Sequence, residues 1–222
     1  MKTFIHDTLQ HLLNSLEEGF DTNELAYLSA QGKNELQIRD KIAWRLYNKI
    51  ESEFGANSKY VVRREWTPDG RDNRVDLAVL ELDDSTNQVK RAIALIEFKA
   101  QSIVKHEKWY LDQFKHDVDK MKSMRSNIAC CHDADLYFVF LETGQERKAE
   151  TYLPALGFAI YLTRNVKYHE DPDYLTAMKE LWKEFENVID ESINIHNPNA
   201  IYIGEAFGSK LYVSPLLIGP IK

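Results

Sequence analysis

The sequence predicts an α/β domain in which a mixed central β-sheet is flanked by helices, and three observations carry that reading. Apolar residues recur at helical spacing up to about residue 54, then change to the period of a strand at Tyr60. Two turn signals, Thr67-Pro68-Asp69-Gly70 and Asp83-Asp84-Ser85-Thr86-Asn87-Gln88, separate three consecutive strand-like runs. A charged helical stretch then joins the third run to a fourth, and a helical crossover favours parallel pairing of the strands it connects.

Residues 4 to about 54 read as helical. Leu9, Leu12, Leu13 and Leu16 form one stripe, with Gly19 as a stop. A break near Gly32 precedes a longer helix through Glu35, Ile38, Ile42, Leu46, Ile50 and Phe54, ended by Gly55 and Asn57. Tyr60 to Trp66 is the first strand, roughly 74–82 the second and roughly 90–99 the third, an antiparallel meander. The helix after it spans about 106 to 125, with Tyr110, Phe114, Met121 and Met124 as its apolar stripe. Leu136 to Leu141 forms the fourth strand, ending near Glu142. Phe158 to Leu162 reads as a fifth, followed by a helix through Leu175, Met178, Leu181, Trp182, Phe185 and Ile189. The C-terminal region predicts a hairpin, Ile201–Ala206 with Lys210–Val213, turning at Gly208-Ser209.

At 222 residues the chain is long enough for one domain with a sizeable core, and no stretch reads as a convincing linker. The net charge of -7 argues against a protein that coats nucleic acid, while leaving room for a local basic cleft. Cys130 and Cys131 are adjacent, a geometry poorly suited to pairing with each other, so no disulfide framework is expected. Met1 to Asp7 lacks the apolar core of a leader, and Leu136 to Leu141 is too short to span a bilayer. A reducing, cytoplasmic setting without membrane attachment is the expectation.

Three side chains on the second and third strands carry the chemistry. Asp76 interrupts an apolar run, and an uncompensated carboxylate on a half-buried strand is costly. Taken alone, it reads as a strand-start carboxylate paired with Arg74 or Lys99. Glu97 and Lys99 alternate onto one face, expected together with Ile93 and Leu95. Taken alone, they mark a strand leaving the core. Taken with Asp76, they form a pair of carboxylates able to hold a hard divalent cation beside an amine that acts on water or phosphate. Arg63, Arg64, Arg71 and Arg74 frame the first hairpin, and Lys105, Lys108, Lys115, Lys122 and Arg125 decorate the crossover helix. Trp109 and Tyr110 offer faces on which bases stack. The helical basic set reads equally well as a salt-bridged exposed face. No Gly-rich phosphate loop, zinc-ligand spacing or Gly-x-Ser-x-Gly elbow occurs in the chain.

This order, an acid on one strand, Glu-x-Lys on the next, then helix and strand, resembles the PD-(D/E)XK nuclease superfamily. The resemblance covers roughly residues 33–143. It implies a restriction-endonuclease-like core of helix, three-stranded meander, helix and strand, with 1–32 as a helical N-terminal extension and 144–222 as a C-terminal elaboration. Asp76 matches the first acid, Glu97 the second and Lys99 the lysine. Glu35 matches an acid that many members carry on the preceding helix, and Gln113 and Lys120 fall where some place accessory polar residues. The proline of the motif is replaced by Val75. The resemblance implies Mg²⁺, replaceable by Mn²⁺, on Asp76, Glu97 and the backbone carbonyl of Phe98. The implied activity is hydrolysis of a nucleic-acid phosphodiester, most naturally as a DNA endonuclease, with a homodimer as the common assembly. The alternatives are a catalytically silent binding module on the same fold, or a different α/β hydrolase with a coincidental Glu-x-Lys.

Overall fold

The alternating runs assemble into a mixed sheet with helices on both faces, seen in a computed structural model that describes residues 1–30, 34–68, 73–100, 107–147, 195–196, 201–206 and 209–221, with positions 183 and 187. Strands β1 (Tyr60–Trp66), β2 (Val75–Leu82) and β3 (Val89–Ala100) form the expected antiparallel meander. Helix α4 (Glu107–Asn127) then leads to β4 (Asp135–Arg147), which pairs parallel to β3, as a helical crossover requires. The fifth strand and the helix expected between residues 158 and 189 lie outside the described residues, apart from positions 183 and 187.

The C-terminal hairpin forms between β6 (Ile201–Ala206) and β7 (Ser209–Ile221), and its second strand is longer than the turn-bounded pattern indicated. Strand β7 runs antiparallel to β4 through the middle of the sheet, and the short β5 (Ile195–His196) pairs with it as well. Among the described residues the sheet has seven strands, in the order β1-β2-β3-β4-β7-β5, with β6 also on β7. Where β7 shifts register against β4, Gly219 adopts φ +131, and a Cβ there would come within 2.6 Å of the Leu136 carbonyl oxygen.

The helical N-terminal region resolves into α1 (Lys2–Asn14), α2 (Glu24–Ala30) and α3 (Glu35–Phe54). The first helix ends before the expected stop at Gly19: Ser15 leaves helical geometry, and Arg45 of α3 donates to its carbonyl oxygen at 2.7 Å. A single 3₁₀ turn, Leu16–Gly19, follows. The stripes Ile5, Leu9, Leu12, Leu13 and Ile38, Ile42, Leu46, Ile50 bury against Leu77, Val79, Ile96, Phe98 and Val139 on one face of the sheet. On the other face Phe114, Val118, Met121 and Met124 of α4 cover Ala78, Leu80, Leu95, Phe138 and Phe140. One expected face assignment is reversed. Ile93 packs with the α1–α3 layer while Leu95 packs against α4, because Ala94 pairs with Val79 and Ala92 with Leu80, leaving Ile93 as the extra residue of a bulge. No helix among the described residues is long and apolar enough to cross a membrane.

A buried charge fixes the edge of the meander far from Asp76. Glu81 is 2% exposed and accepts from Arg91 at 2.8 Å, Lys90 at 3.0 Å and Lys59 at 3.1 Å. Burial works against its charge, and the three cations outweigh burial and hold the carboxyl down at about 2. The stabilisation this supplies is present above the usual carboxylate range and is lost as pH falls toward 2. Glu81→Gln should therefore lower the unfolding free energy by about 2 kcal/mol at neutral pH, with a deficit that shrinks in acid. Urea melts at pH 7 and pH 3 measure this, and an equal deficit at both values would refute the electrostatic account.

Candidate functional site

The site grows out of the point where β2 begins beside the end of β3. Leu77 lies opposite Ile96, and continuing that register sets Asp76 opposite Glu97, so both side chains leave the same face of the sheet. Asp76 is held by the backbone: its Oδ2 accepts the Phe98 N–H at 2.8 Å. Glu97 is buried, and its carboxyl is pushed up to about 8. Burial is the main cause, and the like charge of Asp76 is the next, with Lys120 acting in the opposite direction. The protonated form of Glu97 is further favoured by a hydrogen bond to the Asp76 side chain. The two acids read as a pair in the sequence thus meet at one end of the sheet, Glu97 buried and Asp76 partly exposed.

Helix α4 closes the site with charges three residues apart. Asp117 is buried and accepts from Lys99 at 3.0 Å and from Lys120 at 3.3 Å. Lys120 also donates to Glu97, and Lys99 lies 4.0 Å from the second Glu97 oxygen. Glu97, Lys120, Asp117 and Lys99 form a closed ring of contacts, in which Glu97 is the member that holds a proton at neutral pH. Burial lowers the affinity of Lys99 for its proton, and Asp117, Glu97 and Asp76 more than restore it, so the net shift is upward. Its amine is thus held as a cation and a hydrogen-bond donor.

Helix α3 reaches the site from the opposite layer. The buried Arg39 approaches Asp76 Oδ1 at 3.7 Å and donates to Glu65 at 2.7 Å and to Asp40 at 3.0 Å. Glu65 in turn binds Arg74 at 2.9 Å and sits at φ +49, a strained backbone for a residue with a side chain. Arg39 and Asp117 escaped the sequence reading as site residues. The available signal was a charged residue on the core-facing side of an amphipathic helix: Arg39 beside Ile38 and Ile42, and Asp117 three residues after Phe114.

The remaining sequence candidates fall around this centre. Lys120, read as an accessory residue, stands inside it. Glu35 is half-buried in the first turn of α3, one helical turn before Arg39, and Gln113 stands one turn before Asp117. Arg63 and Arg64 are exposed on β1, with Arg64 paired to Asp40 at 2.5 Å. The Phe98 side chain belongs to the core, and its backbone borders the two acids. Arg71 and Lys105 lie outside the described residues, as do the side chains of Lys108, Trp109 and Tyr110.

Comparison with protein-family models, with curated proteins and with solved structures gives no match to this chain. What the site can hold therefore follows from its donors. Among the described residues no group of three or more His, Cys, Asp or Glu side chains gathers as a metal site. Two carboxyl groups meeting at a partly exposed strand end nevertheless suit a cation that keeps most of its water. Mg²⁺ is such an ion, being bound through one or two carboxylates plus substrate phosphates. Soft or nitrogen-seeking metals find no partner among these donors.

Proposed function

We propose that this chain hydrolyses phosphodiester bonds in nucleic acid, most naturally DNA, using a divalent cation bound by Asp76 and Glu97. The observation that carries the reading is the convergence of these two carboxyls, each from its own strand, beside the protonated amine of Lys99. The order α3-β1-β2-β3-α4-β4 supports a restriction-endonuclease-like core. Held by Asp76 and Glu97, Mg²⁺ would supply Lewis acidity toward the scissile phosphate and the attacking water.

The protein's own residues do the rest. Asp76 is fixed by the Phe98 N–H through Oδ2, and its Oδ1 lies 3.7 Å from Arg39. Lys99, kept charged by Asp117, donates to the developing negative charge on phosphorus-bound oxygen. Lys120 holds Glu97 in place and would balance its charge once a bound cation displaces the proton. Arg39 holds the outer side of Asp76. The closed ring of contacts favours a second reading, a binding module that has replaced turnover with an internally satisfied polar network.

Incubation with plasmid, linear duplex, single strands and RNA, with and without Mg²⁺ or Mn²⁺, separates the two. Lys99→Ala should lower the cleavage rate by about 10²- to 10³-fold while Mn²⁺ binding persists by calorimetry. Identical cleavage by wild type and Lys99→Ala would assign the activity to a contaminant. Absence of cleavage by wild type on every substrate leaves the binding-module reading.

A further inference from the structure

The arginines around the site divide by whether the protein's own acids already hold them. Arg39 binds Asp40 and Glu65, Arg64 binds Asp40, and Arg74 binds Glu65. These three cations are matched internally and offer little to a second anion. Farther off, Arg45, Arg91 and Arg125 each hold a carboxylate or a carbonyl oxygen. Arg63 differs: it is exposed, and its guanidinium has no ion pair or hydrogen-bond partner among the described residues. In a chain of net charge -7, where acids are plentiful, that is a local exception. Strand register gives its place. Arg63 stands opposite Ala78 of β2, and Ala78 packs against α4, so Arg63 leaves the α4 face of the sheet. Ala78 in turn pairs with Leu95 of β3. Asp76 and Glu97 lie two residues along from Ala78 and Leu95, on the same face. Asp76 is therefore the diagonal neighbour of Arg63, and such neighbours lie about 7–8 Å apart, within reach of a long side chain. Asp76 is engaged instead by the Phe98 N–H and by Arg39. The arginine thus stands beside the two acids without being bound to them.

We infer that Arg63 is a substrate-positioning residue, whose guanidinium binds a backbone phosphate flanking the scissile bond. The nucleic acid then crosses the edge of the meander on its α4 side. A guanidinium presents a planar fork of N–H donors that matches two phosphate oxygens. Such a contact fixes where the backbone lies and carries no base information. The opposite side of the edge is unsuited to the same task, because Arg39, Arg64 and Arg74 are there occupied by Asp40 and Glu65. That the phosphate flanks a scissile bond rests on the phosphodiesterase reading; a phosphate contact at Arg63 does not.

The test compares wild type with Arg63→Gln, Arg63→Lys and Lys49→Gln, the last an equal change of charge at an exposed position near the far end of α3. Fluorescence anisotropy on metal-free protein follows two labelled DNA duplexes of about 20 base pairs and unrelated sequence across a salt series. Arg63→Gln should bind both about tenfold more weakly at low salt, and its slope of log affinity against log salt should be shallower by about 1. Arg63→Lys should restore the slope, because the charge is kept, and Lys49→Gln should stay within about twofold of wild type. With Mg²⁺ present, Arg63→Gln should raise KM while kcat holds, the mark of lost positioning contact rather than of a damaged fold. An unchanged slope, an equal loss in Lys49→Gln, a loss on one duplex alone, or no binding of either duplex by wild type would overturn the inference. The two proposals fail separately. Cleavage that Asp76→Asn abolishes and Arg63→Gln leaves at wild-type KM sinks the role of the arginine and keeps the nuclease. Binding whose salt slope falls in Arg63→Gln, in a chain that cleaves nothing, does the reverse.

Discussion

Asp76→Asn should abolish metal-dependent cleavage, by about 10³-fold or more, while leaving the fold intact. The asparagine is nearly isosteric, and its side-chain oxygen can still accept the Phe98 N–H that Asp76 Oδ2 now takes at 2.8 Å. The local strand geometry has no reason to change. What disappears is one of two anionic donors, and with it the electrostatic attraction for a hard cation. Calorimetry with Mn²⁺ should show binding lost or weakened beyond detection, and circular dichroism should match wild type. Asp76→Ala is the poorer probe, because it also strands the Phe98 N–H in a part-buried place. A fully active Asp76→Asn protein would remove the metal site from this end of the sheet.

Glu97→Gln should remove the loss of stability at high pH that Glu97 imposes on the metal-free protein. In the folded chain Glu97 keeps its proton up to about 8, whereas the unfolded chain releases it near the ordinary value of 4.5. Between those values the folded state binds more protons than the unfolded state. Stability is therefore full below the ordinary value and is lost as pH rises through 8. The cost in wild type at pH 9 is of the order of 5 kcal/mol. Glu97→Gln carries no titrating proton there, and Lys120 keeps Asp117 as a partner at 3.3 Å. The variant should melt higher than wild type at pH 9 and differ little at pH 5. Mg²⁺ should erase the wild-type deficit, and below pH 8 its binding should release a proton, detectable as buffer-dependent heat. Equal melting of metal-free wild type at pH 6 and pH 9 would contradict the burial of this charge.

The meander, the parallel crossover and the two acids were legible because each has a local cause. Turn residues bound β1, β2 and β3, and a helix length separates β3 from β4. Period-two alternation likewise put Glu97 and Lys99 on one face. Three features lay beyond such reasoning. The bulge at Ile93 depends on how β2 and β3 pair, which no single strand encodes. The partners Arg39 and Asp117 are supplied by helices whose packing sets which charged residues meet the sheet end. The place of β7 between β4 and β5 is a long-range pairing, and its short sequence pattern resembles an edge hairpin as much as an interior strand.

That interior position of β7 has a kinetic meaning. Leu141 pairs with Pro215 and Leu136 with Ile221, so the sheet closes only after a long stretch of intervening chain has been gathered in. The entropy of closing such a loop is spent before the contacts return it, which slows the approach to the native state. Until then β4 presents a bare hydrogen-bonding edge lined by Leu136, Phe138 and Phe140, a template for pairing with another molecule. The acidic cluster on β2 and β3 thus rests on a neighbour whose own far edge is the last to be protected.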